Sequence, residues 1–165
     1  MSGYQLAQLN IATLKAPLDS PLLKDFVDNL DRINELAEGS PGFVWRLKGE
    51  GNDATSLRPL DENVIVNMSV WKDVESLNHY VYRTVHVEIL RRRREWFERG
   101  VEAHMVLWWV KAGHTPTVAE ALSRLDHLRE HGPSDHAFNF RTPFLPPDAQ
   151  PEETPFLSGD ECPAT

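Results

Sequence analysis

His86 stands four residues after Tyr82, one helical turn, so on a continuous helix the imidazole and the phenol point the same way. An imidazole placed so can work as general acid or base near neutral pH, or ligate iron. His79, seven residues before His86, could serve in its place. Carboxamides and a hydroxyl stand on two other segments, Gln8 and Asn10 near the N-terminus and Asn67 and Ser69 beside Trp71. Arg46 is a single anion partner if it faces inward, whereas Arg91 to Arg94 on a helix point in four directions and form no one patch. Several of that run are expected to pair with Glu88, Glu95 and Glu98 or to be solvated. His127 and His131 have the i, i+4 spacing of a metal pair, with no third ligand near them in the sequence. Gly49-x-Gly51 has no helix behind it to cradle a phosphate, and neither a Gly-x-Ser-x-Gly elbow nor a His-Glu-x-x-His pair occurs.

The elements that must position these residues follow from periodicity. Tyr4 to Leu14, Phe43 to Lys48, Val64 to Trp71 and His104 to Lys111 read as strands. Ser20 and Pro21 read as the N-cap and first position of a helix carrying Leu22, Phe26, Leu30 and Ile33 and ending near Gly39. Lys72 to Gly100 predicts a short helix and then a long one, and Thr117 with Glu120 predicts a capping box opening a last helix to about Glu130. The order β-α-β-β-α-β plus a C-terminal helix is the ferredoxin-like α+β arrangement, a four-stranded antiparallel sheet with helices on one face.

Charge and proline divide the chain into a domain over residues 1–145 and a tail over 146–165. The tail holds five prolines and five acids without Lys or Arg, a composition that favours an extended or disordered state unless Phe156 and Leu157 anchor it on a neighbouring subunit. Over the whole chain 17 basic residues face 25 acidic ones, net −8, which argues against nucleic acid as partner. Cys162 is the single cysteine, excluding an internal disulfide and suiting a reducing cytoplasm. The N-terminus carries no signal-peptide pattern, and Met105 to Val110, the longest apolar run, is too short to span a membrane.

Side chains alternate across a strand, so each strand splits into two sets. Gln5, Ala7, Leu9 and Ile11 with Val64, Val66, Met68 and Val70 are assigned to the helix side; Leu6, Gln8 and Asn10 with Asn67, Ser69 and Trp71 are assigned to the opposite, open side. An open face with large apolar residues is an association surface. A second copy is therefore expected to close it, making a homodimer with a partly polar cavity for a hydrophobic or aromatic small molecule. The fourth strand, apolar on both sides through Val106, Trp108 and Val110 and through Met105, Leu107 and Trp109, supports the same expectation.

Gln8-Leu9-Asn10-Ile11-Ala12, Ser40-Pro41-Gly42-Phe43-Val44-Trp45-Arg46, Val66-Asn67-Met68-Ser69-Val70-Trp71, Val81-Tyr82-Arg83-Thr84-Val85-His86, Leu90-Arg91-Arg92-Arg93-Arg94-Glu95-Trp96-Phe97 and Leu107-Trp108-Trp109-Val110 together resemble a bacterial family, domain of unknown function 3291. That family in turn resembles the dimeric α+β barrel superfamily, which includes antibiotic-biosynthesis monooxygenases and heme-degrading oxygenases. The resemblance implies a sheet-to-sheet dimer and, for cofactor-independent members, Asn, Trp and His or Tyr holding an aromatic substrate that itself activates oxygen. For heme-degrading members it implies Asn on the first strand, Trp ending the third and an axial His on the next helix, here Asn10, Trp71 and His79 or His86. The expected function is a monooxygenase-like oxidoreductase with His86, Asn10, Tyr82 and Trp71 catalytic and with Gln8, Arg46, Asn67, Ser69, His79 and Trp108 contacting substrate. Its cofactor is either none or heme. A heme-binding protein and a non-catalytic ligand-binding or assembly module are the alternatives.

Overall fold

The computed structural model describes residues 2–84, 86–100 and 102–155. Four strands, β1 (Tyr4–Thr13), β2 (Phe43–Arg46), β3 (Val64–Trp71) and β4 (Met105–Lys111), form one antiparallel sheet in the order β2-β3-β1-β4. The helices are α1 (Lys24–Glu38), α2 (Val74–Arg83), α3 (His86–Arg91), α4 (Arg93–Trp96) and α5 (Val118–His131). This is the ferredoxin-like α+β arrangement with a fifth helix added.

Local chemistry sets the boundaries. Asp73 caps α2, its carboxylate accepting from the Ser76 amide at 2.8 Å and the Ser76 hydroxyl at 2.7 Å. Gly42 sits at φ 85 with its absent Cβ only 2.2 Å from Ser76 Oγ, so both the turn into β2 and the start of α2 require glycine there. Thr117 caps α5 by accepting from the Glu120 amide at 3.1 Å, and Gly132 at φ 76 ends it. Ser20 departs from expectation: its hydroxyl donates back to the Pro17 carbonyl at 2.6 Å, and Pro21–Leu23 form a 3-10 turn before α1 begins. The long helix expected after the short one is also broken. Thr84 is extended at φ −123, ψ −178, its hydroxyl donating to the Tyr80 carbonyl at 2.6 Å, so α2 stops and three helices stand where a short one and a long one were expected.

The sheet is covered on both faces by its own chain. One face presents Ala7, Leu9, Val66, Met68, Val70, Val106, Trp108 and Val110 to Ala121, Leu125 and Leu128 of α5. The other presents Leu6, Trp71 and Leu107 to Ala37 of α1, to Val74, Leu77 and Tyr80 of α2, and to Phe138 and Phe140. Two expectations are thereby corrected. The largely apolar strand sets lie under α5, and the mixed sets lie under α1 and α2, the reverse of the assignment made from alternation. Nor does an open apolar face remain to demand a second copy: Trp108 and Val106 are fully buried within the chain. The physical reason is the stripe Ala121, Leu125 and Leu128, spaced to match that apolar face. At ~1.5–3 kcal/mol for each large apolar side chain fully buried, this seal is a main source of stability.

A third cluster, Leu14, Leu23, Ile65 and Trp96 with Phe26 and Phe97, closes the end of the sheet near α4. The acidic, proline-rich stretch begins tied down: Asp148 accepts from Ser2 Oγ at 2.7 Å and from the Gly3 amide at 2.6 Å. Phe156, Leu157 and Cys162 lie outside the described residues, as does Val85 of the Val81 to His86 block.

Candidate functional site

Register brings the polar residues of the mixed face together. In the β1–β3 ladder Leu6 opposes Trp71, Gln8 opposes Ser69 and Asn10 opposes Asn67, all on the face beneath α1 and α2. Gln8 Nε2 donates to Asn67 Oδ1 at 2.7 Å and to Ser69 Oγ at 2.8 Å, and Trp71 Nε1 donates to the same Ser69 Oγ at 2.8 Å. Gln8, Ser69 and Trp71 are buried, whereas Asn67, although on an inner strand, is exposed. The row thus runs from a closed end at Trp71 to an open mouth at Asn67, where the partly buried Asn10 stands beside it.

An aromatic series rises from the closed end. Phe43 meets Trp71 edge-on at 5.4 Å, Trp71 stacks on Tyr80 at 5.1 Å, and Tyr80 meets the His86 ring at 4.9 Å. Tyr80 Oη donates to the Ile33 carbonyl at 3.1 Å, and burial raises its phenol far above the usual range, partly offset by the Arg46 charge. Tyr80 is therefore a neutral stacking partner. His86 Nδ1 lies 3.3 Å from the Val81 carbonyl, which only accepts, so the neutral ring carries its proton on Nδ1 and leaves Nε2 bare. Burial lowers the His86 pKa, opposed by that hydrogen bond. A neutral imidazole with one free lone pair is competent as a base.

The expected pairing of Tyr82 with His86 is not found. The break at Thr84 turns them apart: Tyr82 packs edge-on against Phe140 at 5.7 Å, and Tyr80 is the tyrosine at the imidazole. His79 is exposed on α2. Trp108 is on the other face, donating from Nε1 to Glu120 Oε2 at 2.9 Å beneath α5, and is removed from the substrate-contact set. Arg46 does face inward, in register with Ser69. Its charge is committed, however, to Glu38 at 2.7 Å and Asn52 at 3.0 Å, and the guanidinium holds the Glu38 carboxyl below its usual range. Arg92 is salt-bridged to Asp25 and Glu95, each at 2.8 Å.

Alternation alone did not single out Asn78, 5% exposed on α2, whose Nδ2 has no hydrogen-bond partner among the described residues. Its position one turn from both Val74 and Tyr82 was the available signal.

A heme does not fit between these rings. Successive centroid spacings of 5.4, 5.1 and 4.9 Å from Phe43 to His86 leave no porphyrin-wide slot between imidazole and wall, and Arg46 is already paired. His127 touches the His131 and His136 rings at 4.6 and 4.5 Å beside a hollow of roughly 470 Å³ on the outer side of α5. Arg124 Nη1 lies 2.9 Å from His136 Nδ1. Among the described residues no group of three or more His, Cys, Asp or Glu side chains forms a metal site. Among them, too, no helix is long and apolar enough to cross a membrane.

Residues 5–154 match the family model described as Domain of unknown function (DUF3291). No curated protein matches the chain. Among solved structures, SnoaB, a cofactor-independent oxygenase from Streptomyces nogalater, is similar at 17% identity and a TM-score of 0.41 over 67% of this chain and 95% of that one. A dabb family protein with a ferredoxin-like fold from Mesorhizobium loti is similar at 16% identity and a TM-score of 0.40, over 68% and 98% of the two chains. Neither likeness assigns a role to a residue here.

Proposed function

The chain belongs to the DUF3291 family, and from that premise we propose that it is a monooxygenase-like oxidoreductase acting on a hydrophobic or aromatic small molecule. The substrate lies between the sheet and α2–α3, against Trp71 and the polar row of Gln8, Asn67 and Ser69. The observation that carries this reading is that row itself: hydrogen-bonding groups on inner strands, open to solvent at Asn67 and closed by Trp71, from which an aromatic series through Tyr80 leads to the neutral His86 imidazole.

The chemistry such a site supports begins with proton removal. In this reading His86 Nε2 takes a proton from an activated methylene, and the polar groups of the row orient the oxygen of the molecule. The resulting carbanion is electron-rich enough to reduce dioxygen. In balance, CH2 plus O2 gives C=O plus H2O, the methylene losing four electrons and dioxygen accepting four.

Anthrone, which has such a methylene, is a suitable probe. In an oxygen electrode the protein is expected to consume one O2 per anthraquinone formed, and His86→Ala to lower kcat by about 10²-fold or more, the usual contribution of a positioned base. Bound anthrone with no oxygen uptake above the protein-free rate would overturn the enzymatic reading and identify a binding module.

A further inference from the structure

Arg46 is the one charged side chain buried among the described residues, at 7% exposure, and its ion partner Glu38 is 40% exposed. Nε donates to Glu38 Oε1 at 2.7 Å and Nη2 to Asn52 Oδ1 at 3.0 Å. A guanidinium carries five N–H donors in a fixed fork and no acceptor, so it cannot be turned over to balance the count. Those two bonds leave one N–H on Nη2 and both on Nη1 without an acceptor among the described residues. The fork is also held in place. Glu38 ends α1, where the helix dipole disfavours a carboxylate, and Asn52 is itself anchored to Asp31 at 3.4 Å.

Arg46 borders a hollow of roughly 480 Å³ along β2, the edge strand of the sheet. The lining joins Arg46 and Lys48 to the apolar side chains of Phe43, Val44 and Leu47, with Val44 44% exposed. Glu38 is the one carboxylate in that lining, and both cations engage it, Lys48 Nζ lying 3.8 Å from its Oε1. Two cations against one carboxylate leave the hollow positive on a chain whose net charge is −8. The hollow follows the edge strand, whereas the polar row of Gln8, Asn67 and Ser69 belongs to the inner strands β1 and β3.

We propose that this hollow is a binding site for a small apolar carboxylic acid. The carboxylate lies on the free Nη1 and Nη2 donors of Arg46 with the Lys48 ammonium beside it, and the hydrocarbon body lies on Phe43, Val44 and Leu47. A planar anion with two oxygens matches two parallel N–H groups of the fork, and such charge-assisted bonds are roughly twice as strong as neutral ones. A neutral amide of the same shape brings one acceptor and no charge. The site is independent of the substrate site proposed above.

Calorimetric titration of the whole protein with 2-naphthoate, 2-naphthamide and acetate tests this. The native protein is expected to bind 2-naphthoate about tenfold or more tightly than 2-naphthamide, the difference made by charge-assisted bonds. Acetate, which lacks the hydrocarbon body, should bind weakest. Lys48→Glu should weaken 2-naphthoate by about threefold, and Val44→Asp, an exposed position whose change leaves folding intact, by about tenfold. Arg46→Gln alone strands Glu38, so the paired variant Arg46→Gln with Glu38→Gln is used, and it should erase the preference for acid over amide. The proposal is overturned if 2-naphthoate does not bind, if it binds no better than 2-naphthamide or acetate, or if its affinity is unchanged in Val44→Asp and Lys48→Glu. That last result would place the acid elsewhere on the molecule, and none of the three touches the anthrone test of the polar row.

Discussion

The two faces of the sheet are built from the same four strands and put to opposite use. Beneath α5 the inward positions are predominantly apolar, and the indole Nε1 of Trp108 is satisfied by Glu120 Oε2 at 2.9 Å. Beneath α2, Gln8, Ser69 and Asn78 are buried polar residues, and the Asn78 Nδ2 has no hydrogen-bond partner among the described residues. A satisfied apolar face supplies stability, and an incompletely satisfied polar one carries a cost that a bound ligand or an ordered water offsets. The division of labour suggests where to cut.

The largest expected effect is on the sealed face. Trp108→Ala removes a fully buried indole and should lower unfolding free energy by ~3–5 kcal/mol in a denaturant titration. If it instead left stability intact and abolished ligand binding, the assignment of the two faces would be inverted.

Next comes the pH dependence of the site face. Because burial depresses the His86 pKa, kcat/KM should rise with pH to a plateau with a midpoint below 6.5. The same shift fixes the sign for stability. Folding favours the neutral ring, so this contribution is fully present above 6.5, the unperturbed value, and is lost as pH falls through the lower folded value. Replacing His86 with Phe should flatten that acid limb, measured as melting temperature against pH; an unchanged limb would mean another group carries it.

The smallest effect sharpens the comparison from the helix side. Asp73→Ala removes the cap of α2 and should cost ~1 kcal/mol by thermal denaturation, with a larger fractional loss of activity than Trp108 variants of equal stability. Equal losses would mean α2 matters to the site only through global stability.

Much of this was legible in the residues. Period-2 alternation gave β1 and β3 nearly to their ends, and Thr117 with Glu120 marked the start of α5, because strand pleat and helix cap are local properties. The face assignment was not legible, since α1, α2 and α5 all carry apolar stripes and alternation does not say which helix takes which face. Tyr80 was missed for a single local reason. Thr84 bonds back to the Tyr80 carbonyl and ends the helix, so the four-residue spacing of Tyr82 and His86 no longer describes one face. Asn78 was accessible to helix-face arithmetic, but a neutral carboxamide carries no titratable signature.

The backbone bridge between Leu107 and Phe138 has a consequence for how copies of this chain can grow together. Leu107 and Phe138 exchange amide-to-carbonyl bonds of 2.8 and 2.9 Å, which occupy the outer rim of β4 at its middle. Lateral extension of the sheet is left to β2, four residues long and irregular between Phe43 and Trp45. A ribbon needs two sticky margins per molecule, and here one is blunted, so strand addition stops after a single join instead of propagating into fibres.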